Sequence, residues 1–248
     1  MKASEKSISV DIVIPVYNEE SDLEMNIRKL DDFLKLDDLL NKNFKYKYRI
    51  IIANNASTDN TLNIAEKLSK KMPRISYIHL DKKGRGRALK KAWINSSADI
   101  VSYMDVDLST NLDHFIEIVD AIANGKYDLG VGSRLKRGSV VKRSLKRQIL
   151  SVGYNKLLML LFMPRFTDAQ CGFKAIRREA AKKLVPRIKD QNWFFDTELL
   201  LLAEHNNYKI FEAPVRWIER KKSKVKIIKT VYEYLTSMAR MRLKFWME

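Results

Sequence analysis

Apolar positions along this chain fall into short unbroken runs separated by amphipathic stretches. VDIVIPVY at 10–17 is β-branched and closed by the polar NEE, so it reads as a buried strand, and the positions from 20 to 40 follow with helical spacing. YRIIIAN at 48–54 repeats the strand signal, ends in the loop NASTDN, and gives way to the helical TLNIAEKLSKK. ISYIHLD predicts a short strand, KKGRGR a loop, residues 88–96 a helix, and DIVSYMD the next strand. HFIEIVDAIANG is a helix stopped at Gly125, and YDLGVGSR is a strand running into a turn. Strands alternating with helices predict an α/β domain on a mostly parallel sheet with helices on both faces. No internal repeat and no linker rich in Gly, Pro or Ser divides it.

Two further helices stand outside that alternation. One covers 145–163, basic at its start, apolar at its end (LLMLLFM) and stopped by Pro164. The other covers 226–247, with Ile227, Ile228, Val231, Leu235, Met238 and Trp246 near one face and Lys229, Arg240, Arg242 and Lys244 elsewhere. Such helices fit the interface of an anionic membrane, and equally a core-facing or dimer contact. Neither approaches the roughly 18–20 apolar residues of a spanning helix.

Composition changes the picture through charge. Across 248 residues, 46% of them hydrophobic, the formal net charge is +17, so the expected partner of this globular protein is anionic: nucleic acid, a phosphate-bearing substrate, or a membrane surface. Nucleic acid is the weakest of the three, because no RNP, KH, zinc-finger or helix-turn-helix pattern is present and charge is not interleaved with aromatics on one sheet. The single cysteine, Cys171, excludes an intramolecular disulfide and reads as a small buried hydrophobe. No CxxC or His-rich tract offers zinc ligands, and MKASEKSIS lacks the apolar core of a signal peptide, so a cytosolic setting is expected.

In open parallel sheets ligands bind at the carboxyl ends of the strands. The loops PVYNEE, NNASTD, KKGRGR, DVDLST and GSR should therefore converge on one rim. Asp105 and Asp107, spaced i and i+2 on extended backbone, would project to one face about 7 Å apart and could share a hard cation. Magnesium typically takes one or two protein carboxylates and completes its shell with water and substrate phosphates. Taken alone, the pair also fits a solvated turn or a helix cap.

IVIPVYNEE, NNASTDNT, KGRGRAL, MDVDLST, GSR and DAQCGFKAI, in that order, resemble the GT-A glycosyltransferases of family 2. The later part, DAQCGFK followed by WFFDTELLLLAE, VRW and SKV, is similar to the polyprenyl-phosphate branch and above all to dolichyl-phosphate β-glucosyltransferases. The resemblance runs from about residue 9 to about 226 and implies a Rossmann-like GT-A domain over 9–220 that includes the 145–163 interface helix. A basic amphipathic C-terminal helix over 221–248 would follow. It implies an inverting, Mg2+- or Mn2+-dependent enzyme that moves glucose from UDP-glucose to dolichyl or another polyprenyl phosphate. The enzyme would be held peripherally on the cytosolic face of a membrane. Its alternative is mannosyl transfer from GDP-mannose.

The resemblance also implies roles. Pro15 and Tyr17 would flank the base, Glu19 would bond ribose or base, and Lys83, Gly84 and Arg85 would lie at the diphosphate. Asp105 would contact sugar or ribose, and Asp107 the metal. Asp168, Gln170, Trp193 and Asp196 would form the sugar pocket, with Glu198 supporting the fold, and Arg134, Arg147 and Lys174 would hold the lipid phosphate, near Arg143. Two positions depart from relatives. Asn54 stands where an Asp accepts the N3 proton of uracil, so that contact would be uncharged, and Asp59 reads as the cap of the next helix. Ser109 stands where mannosyl relatives carry a metal-assisting Gln. A phosphate monoester acceptor, with a second pKa of about 6, needs positioning more than deprotonation, and arginine forks supply it.

Overall fold

The computed structural model describes residues 7–39, 45–220 and 227–247. Its first half follows the predicted alternation: β1 (Ser9–Val16), α1 (Leu23–Leu39), β2 (Lys47–Asn55), α2 (Thr61–Lys71), β3 (Ile75–Leu80), α3 (Arg85–Ile94), β4 (Ile100–Met104), α4 (Asp113–Ala123) and β5 (Leu129–Ser133). Alternate side chains of the strands feed two cores. Ile12, Ile14, Ile50 and Ile52 pack against Leu23, Ile27 and Leu30 of α1 and Phe115 and Ile118 of α4, while Val13, Ile51 and Tyr103 face Leu89 and Trp93 of α3 on the other side. Burial on both faces explains why these strands read as continuous apolar runs. Pro15 has no N–H to give, and β1 pairs with β4 only as far as Val13, so the proline lies beyond that ladder.

α3 begins at Arg85, three residues ahead of the expected start, and the KGRGR segment is its first turn. The reason is packing. A Cβ on Gly84 would meet the Gln191 carbonyl oxygen at 2.7 Å, and one on Gly86 would meet Phe195 Cβ at 2.8 Å. These glycines let the turn press against residues 191–195, and Arg87 donates its amide to the Gln191 carbonyl (3.0 Å). The side of this turn on which a Cβ would stand is therefore filled by protein.

The second half carries β6 (Val140–Lys142), α5 (Leu145–Phe162), β7 (Phe173–Arg177), α6 (Arg178–Leu184), a 3-10 turn (Val185–Arg187), α7 (Phe195–His205), β8 (Ile210–Pro214), β9 (Arg216–Ile218) and α8 (Ile227–Met247). Among the described residues the main sheet has the order β3-β2-β1-β4-β7-β5-β8. β7 runs antiparallel to both β4 and β5; every other pairing in this sheet is parallel. β6 and β9 form a separate parallel pair, and an antiparallel bridge from Thr110 to Trp217 ties it to the loop after β4.

α8 lies on α5 and α7. Tyr154 and Tyr234 approach with ring centroids 4.9 Å apart, Met238 and Met241 are buried, and Arg240 donates to Glu198 of α7 (2.8 Å). Away from those contacts Leu145, Ile149, Leu160 and Met163 of the α5 region and Leu235, Leu243 and Trp246 of α8 are exposed. The apolar stripe expected on α8 thus divides, Met238 entering the core while Val231, Leu235 and Trp246 face outward. No described helix is long and apolar enough to cross a membrane. The SKV stretch lies in 221–226, outside the described residues, as do the side chains of Ile227, Ile228 and Lys229.

Candidate active site

The parallel strands bring their carboxyl ends to one edge, and the loops there are stitched to one another. Asn18, at a left-handed φ of 53°, accepts the Thr58 amide (2.8 Å), and Glu19 donates its amide to Thr61 Oγ1 (2.9 Å), joining the PVYNEE loop to NNASTD. Asp59 accepts the amide of Thr61 (3.0 Å) as α2 begins, but the cap position of that helix is Asn60, so Asp59 is not the cap that the sequence suggested. Asn55 Oδ1 takes the amide of Gly84 (2.6 Å), which holds the next loop. Lys83 Nζ stands 3.4 Å from the centroid of the Tyr17 ring, a cation–π contact at the rim, with Pro15 partly exposed beneath.

Asn54 is fully buried, its amide against His79 Nδ1 (2.8 Å) and its oxygen facing the Ser57 amide. Both ends of its amide thus already have partners within the protein. The cause is visible in the register: Asn54 pairs with His79 across β2 and β3, inside the sheet.

Past β4 the backbone turns instead of staying extended. Leu108 adopts φ 47° and donates its amide to the Asp105 carbonyl (3.2 Å), and Asp107 Oδ1 accepts the Ser109 amide (3.0 Å). The same-face argument from an extended strand is therefore replaced by a turn. Both carboxylates still line one small cleft, with Ser109, Thr110, Gly172 and Trp217. Gly172 is indispensable to it, since a Cβ there would lie 1.9 Å from Asp105 Oδ2. Asp105 keeps about half its side chain open to solvent. Desolvation on its protein side pushes its carboxyl above the usual range against the pull of Arg85, and the neighbouring Asp107 adds to the rise.

Arg85 reaches the cleft from behind, through Asp105. It is buried, donating from Nη1 to Asp196 Oδ2 (2.5 Å) and from Nη2 to Asp105 Oδ1 (3.0 Å), with Tyr103 and Trp193 rings on its flanks at 4.7 and 5.1 Å. Asp196 also receives the Tyr103 hydroxyl and lies 3.2 Å from Lys174 Nζ, itself only 1% exposed and donating to the Cys171 carbonyl (2.6 Å). Burial opposes ionisation of Asp196, but Lys174 and Arg85 outweigh it and hold its carboxyl below the usual range. Asp196 and Lys174 are thus buried and paired with each other behind the cleft. Trp193 is 41% exposed, its ring against the Arg85 guanidinium.

Asp168 is likewise engaged. It is fully buried and accepts both arms of the Arg134 guanidinium (2.7 and 3.0 Å) and the Arg134 amide (3.1 Å). Burial would raise its carboxyl, but that guanidinium brings it down to about 2. Asp168 therefore orients Arg134, while Gln170 reaches the Tyr234 hydroxyl of α8. Arg134 is close enough to feel the charge of Asp105. Arg147 pairs with Glu219 (2.9 Å), and between Arg134 and Arg147 sits Arg143, whose Nη2 is buried without a partner among the described residues. Burial first, and then the like charge of Arg134 and Arg147, depress its protonation. Arg143 interacts with both Arg134 and Arg147, each of which is paired with a carboxylate, and Arg134 links this basic group to the cleft; guanidinium forks of this kind suit a phosphate.

Cys171 is buried, and burial pushes its thiol up to about 12, which excludes nucleophilic work. Glu198 is buried beneath the site. It accepts the amides of Lys189 (2.9 Å) and Asp190 (3.0 Å) as well as Arg240, which fixes the loop that carries Trp193. Sequence reasoning did not single out Gly172, Tyr103 or Trp217. A glycine inside a strand-like apolar run signals a close approach and could have found the first.

Among the described residues no three carboxylate, His or Cys side chains converge as a metal cage. The donor set is two carboxylates, each with one oxygen already bonded, and the buried, unpartnered hydroxyl of Ser109. That set fits a magnesium- or manganese-type ion whose remaining ligands come from a substrate diphosphate.

Residues 11–185 match the sequence profile of glycosyl transferase family 2. Glycosyltransferase AglD of Haloferax volcanii is 34% identical over 92% of this chain, which spans 36% of that protein. A dolichyl-phosphate beta-glucosyltransferase of Dictyostelium discoideum is 32% identical, with 96% of this chain and 75% of that one covered. The fold is shared with glucosyl-3-phosphoglycerate synthase of Mycobacterium tuberculosis, at a TM-score of 0.65, 17% identity and coverage of 96% of this chain and 78% of the other. With a profile match from the first strand through the last α-helical turn before the 3-10 segment, and with such relatives, this chain belongs to glycosyl transferase family 2.

Proposed function

We propose that this protein transfers glucose from UDP-glucose to a polyprenyl phosphate, dolichyl phosphate in particular, with inversion, at the cytosolic face of a membrane. The observation that carries the reading is the juxtaposition of the Asp105–Asp107 cleft with the Arg134, Arg143 and Arg147 cluster. The first suits the diphosphate end of a donor and the second a phosphate acceptor. The names of the relatives from Dictyostelium discoideum and Haloferax volcanii support it.

In this reading the cluster binds the acceptor phosphate and aims one of its oxygens at the anomeric carbon. The acceptor is already largely ionised near neutral pH, so no side chain has to remove a proton. That agrees with the buried engagement of Asp168 and Asp196, which leaves neither free to act as a base. Asp105 and Asp107 would hold Mg2+ or Mn2+, which would supply charge neutralisation for the departing diphosphate. Tyr17 and Lys83 form the rim against the nucleotide, Glu19 lies beside them, and Trp193 closes the sugar side. The exposed apolar surface of α5 and α8 supports peripheral seating on a lipid surface, basic residues such as Arg242 and Lys244 adding attraction to anionic head groups.

The test is transfer of labelled sugar to a short polyprenyl phosphate in vesicles, comparing UDP-glucose with GDP-mannose, with and without metal. Metal-dependent glucosyl transfer, abolished in Asp107→Ala, is expected. Preference for GDP-mannose, or transfer unaffected by Asp107→Ala, would overturn the reading.

A further inference from the structure

Behind Asp105 stands a row of buried groups of alternating charge: Lys174, Asp196, Arg85 and then Asp105 itself. Asp196 is the hub. One of its oxygens takes Arg85 Nη1, and the other takes the Tyr103 hydroxyl and faces Lys174 Nζ. Such a set is costly to bury and is weak evidence of stabilisation, since apolar packing of equal volume often does as well. Its retention calls for another reason, and the geometry supplies one. A guanidinium bonded to Asp105 alone could turn with that half-exposed carboxylate. Here the far arm of the fork is anchored on Asp196 and the guanidinium carbon lies 4.7 and 5.1 Å from the Tyr103 and Trp193 ring centroids, so Nη2 arrives at Asp105 Oδ1 from a fixed direction. Oδ2 is then left over Gly172, at the cleft. Lys174 shares the negative charge of Asp196, which keeps Arg85 from being drawn wholly to the rear.

We propose that Asp196, Lys174 and Tyr103 are positioning residues that act through Arg85 to fix the Asp105 carboxylate for the nucleotide-sugar's diphosphate end. The proposal rests on the reading of Asp105 as a donor-site carboxylate. It replaces sugar and lipid-phosphate contacts for Asp196 and Lys174 with an indirect role.

A two-residue cycle tests it: Asp105→Ala, Asp196→Asn and the double variant, each titrated calorimetrically with UDP in the presence of Mn2+, alongside urea unfolding. Asp196→Asn should weaken Mn2+–UDP binding about tenfold, within the range of coupling between contacting groups. In the Asp105→Ala background the same change should cost nothing more. Losses that multiply in the double variant would overturn the proposal while leaving the donor reading intact. Unchanged binding in Asp105→Ala would remove the donor reading and the proposal together. Should Asp196→Asn fail to fold, Arg85→Lys serves instead. It keeps the charge but cannot bridge two carboxylates, so wild-type affinity in that variant would equally refute the idea.

Discussion

Gly172→Ala is the smallest change that should disable this enzyme. The φ of Gly172 lies outside the left-handed region, so glycine is required there by space and not by conformation. A methyl group at that position would sit 1.9 Å from Asp105 Oδ2, 2.6 Å from Cγ and 2.9 Å from Oδ1, so the whole carboxylate must leave. Relief to an ordinary contact needs Asp105 Oδ2 to move about 1.5 Å, which also breaks the bond from Arg85 Nη2; misplacement by even about 1 Å typically costs about a hundredfold in rate. Stability should change much less. Loss of a charged hydrogen bond costs about 1.5–3 kcal/mol, and the reduced freedom of the unfolded chain returns about 0.4–1 kcal/mol. The assay is glucosyl transfer to a short polyprenyl phosphate, paired with urea unfolding followed by circular dichroism. A folded Gly172→Ala enzyme with kcat/KM within about threefold of wild type would show that the position of Asp105 does not matter to the reaction.

Other expectations follow from the same contacts. Asp168 is held at about 2, below its unfolded value, so its contribution is complete above the unfolded value of about 3.9 and is lost as pH falls through the folded one. Acid titration of stability should show a loss of about 2 kcal/mol from this group between pH 4 and 2, absent in Asp168→Asn. Arg143→Met should raise the KM for the acceptor while leaving Mn2+–UDP affinity unchanged, because Arg143 belongs to the guanidinium cluster and not to the carboxylate cleft; an unchanged acceptor KM would remove it from the site. Arg240→Met should speed amide exchange at residues 189–195, since Glu198 shares its carboxylate between that loop and α8. Equal exchange would mean the loop is held without the helix.

The first half of the fold was legible because its strands are apolar on both faces and its helices are amphipathic, so period and run length separate them cleanly. The second half hides its elements. β7 carries a buried lysine, Lys174, and α7 buries Asp196, Thr197 and Glu198 along with its leucines, so polarity no longer marks the surface. For the site, the carboxylates of DVDLST and the arginines after β5 could be read as chemistry. Their partners could not. Arg85 and Asp196 are 111 residues apart and meet only in the fold, so charges that looked available to a ligand are committed to one another. The partner of Asn54 was equally hidden: the strand continues through it and turns the amide toward His79.

β7 also fixes the order in which the sheet can close. β4 and β5 are successive strands that never bond each other; each waits for residues 173–177, which leave the ribosome only after α5. Until then a nascent chain can assemble β3, β2, β1 and β4 as a parallel unit, but it shows an open strand edge together with a helix whose outer face is apolar. Both are features through which chains associate wrongly. The interval of synthesis between β5 and β7 is therefore when this protein most needs a chaperone or a lipid surface. Ribosome-stalled chains ending before residue 173 should bind a hydrophobic dye more strongly than chains extended past β8.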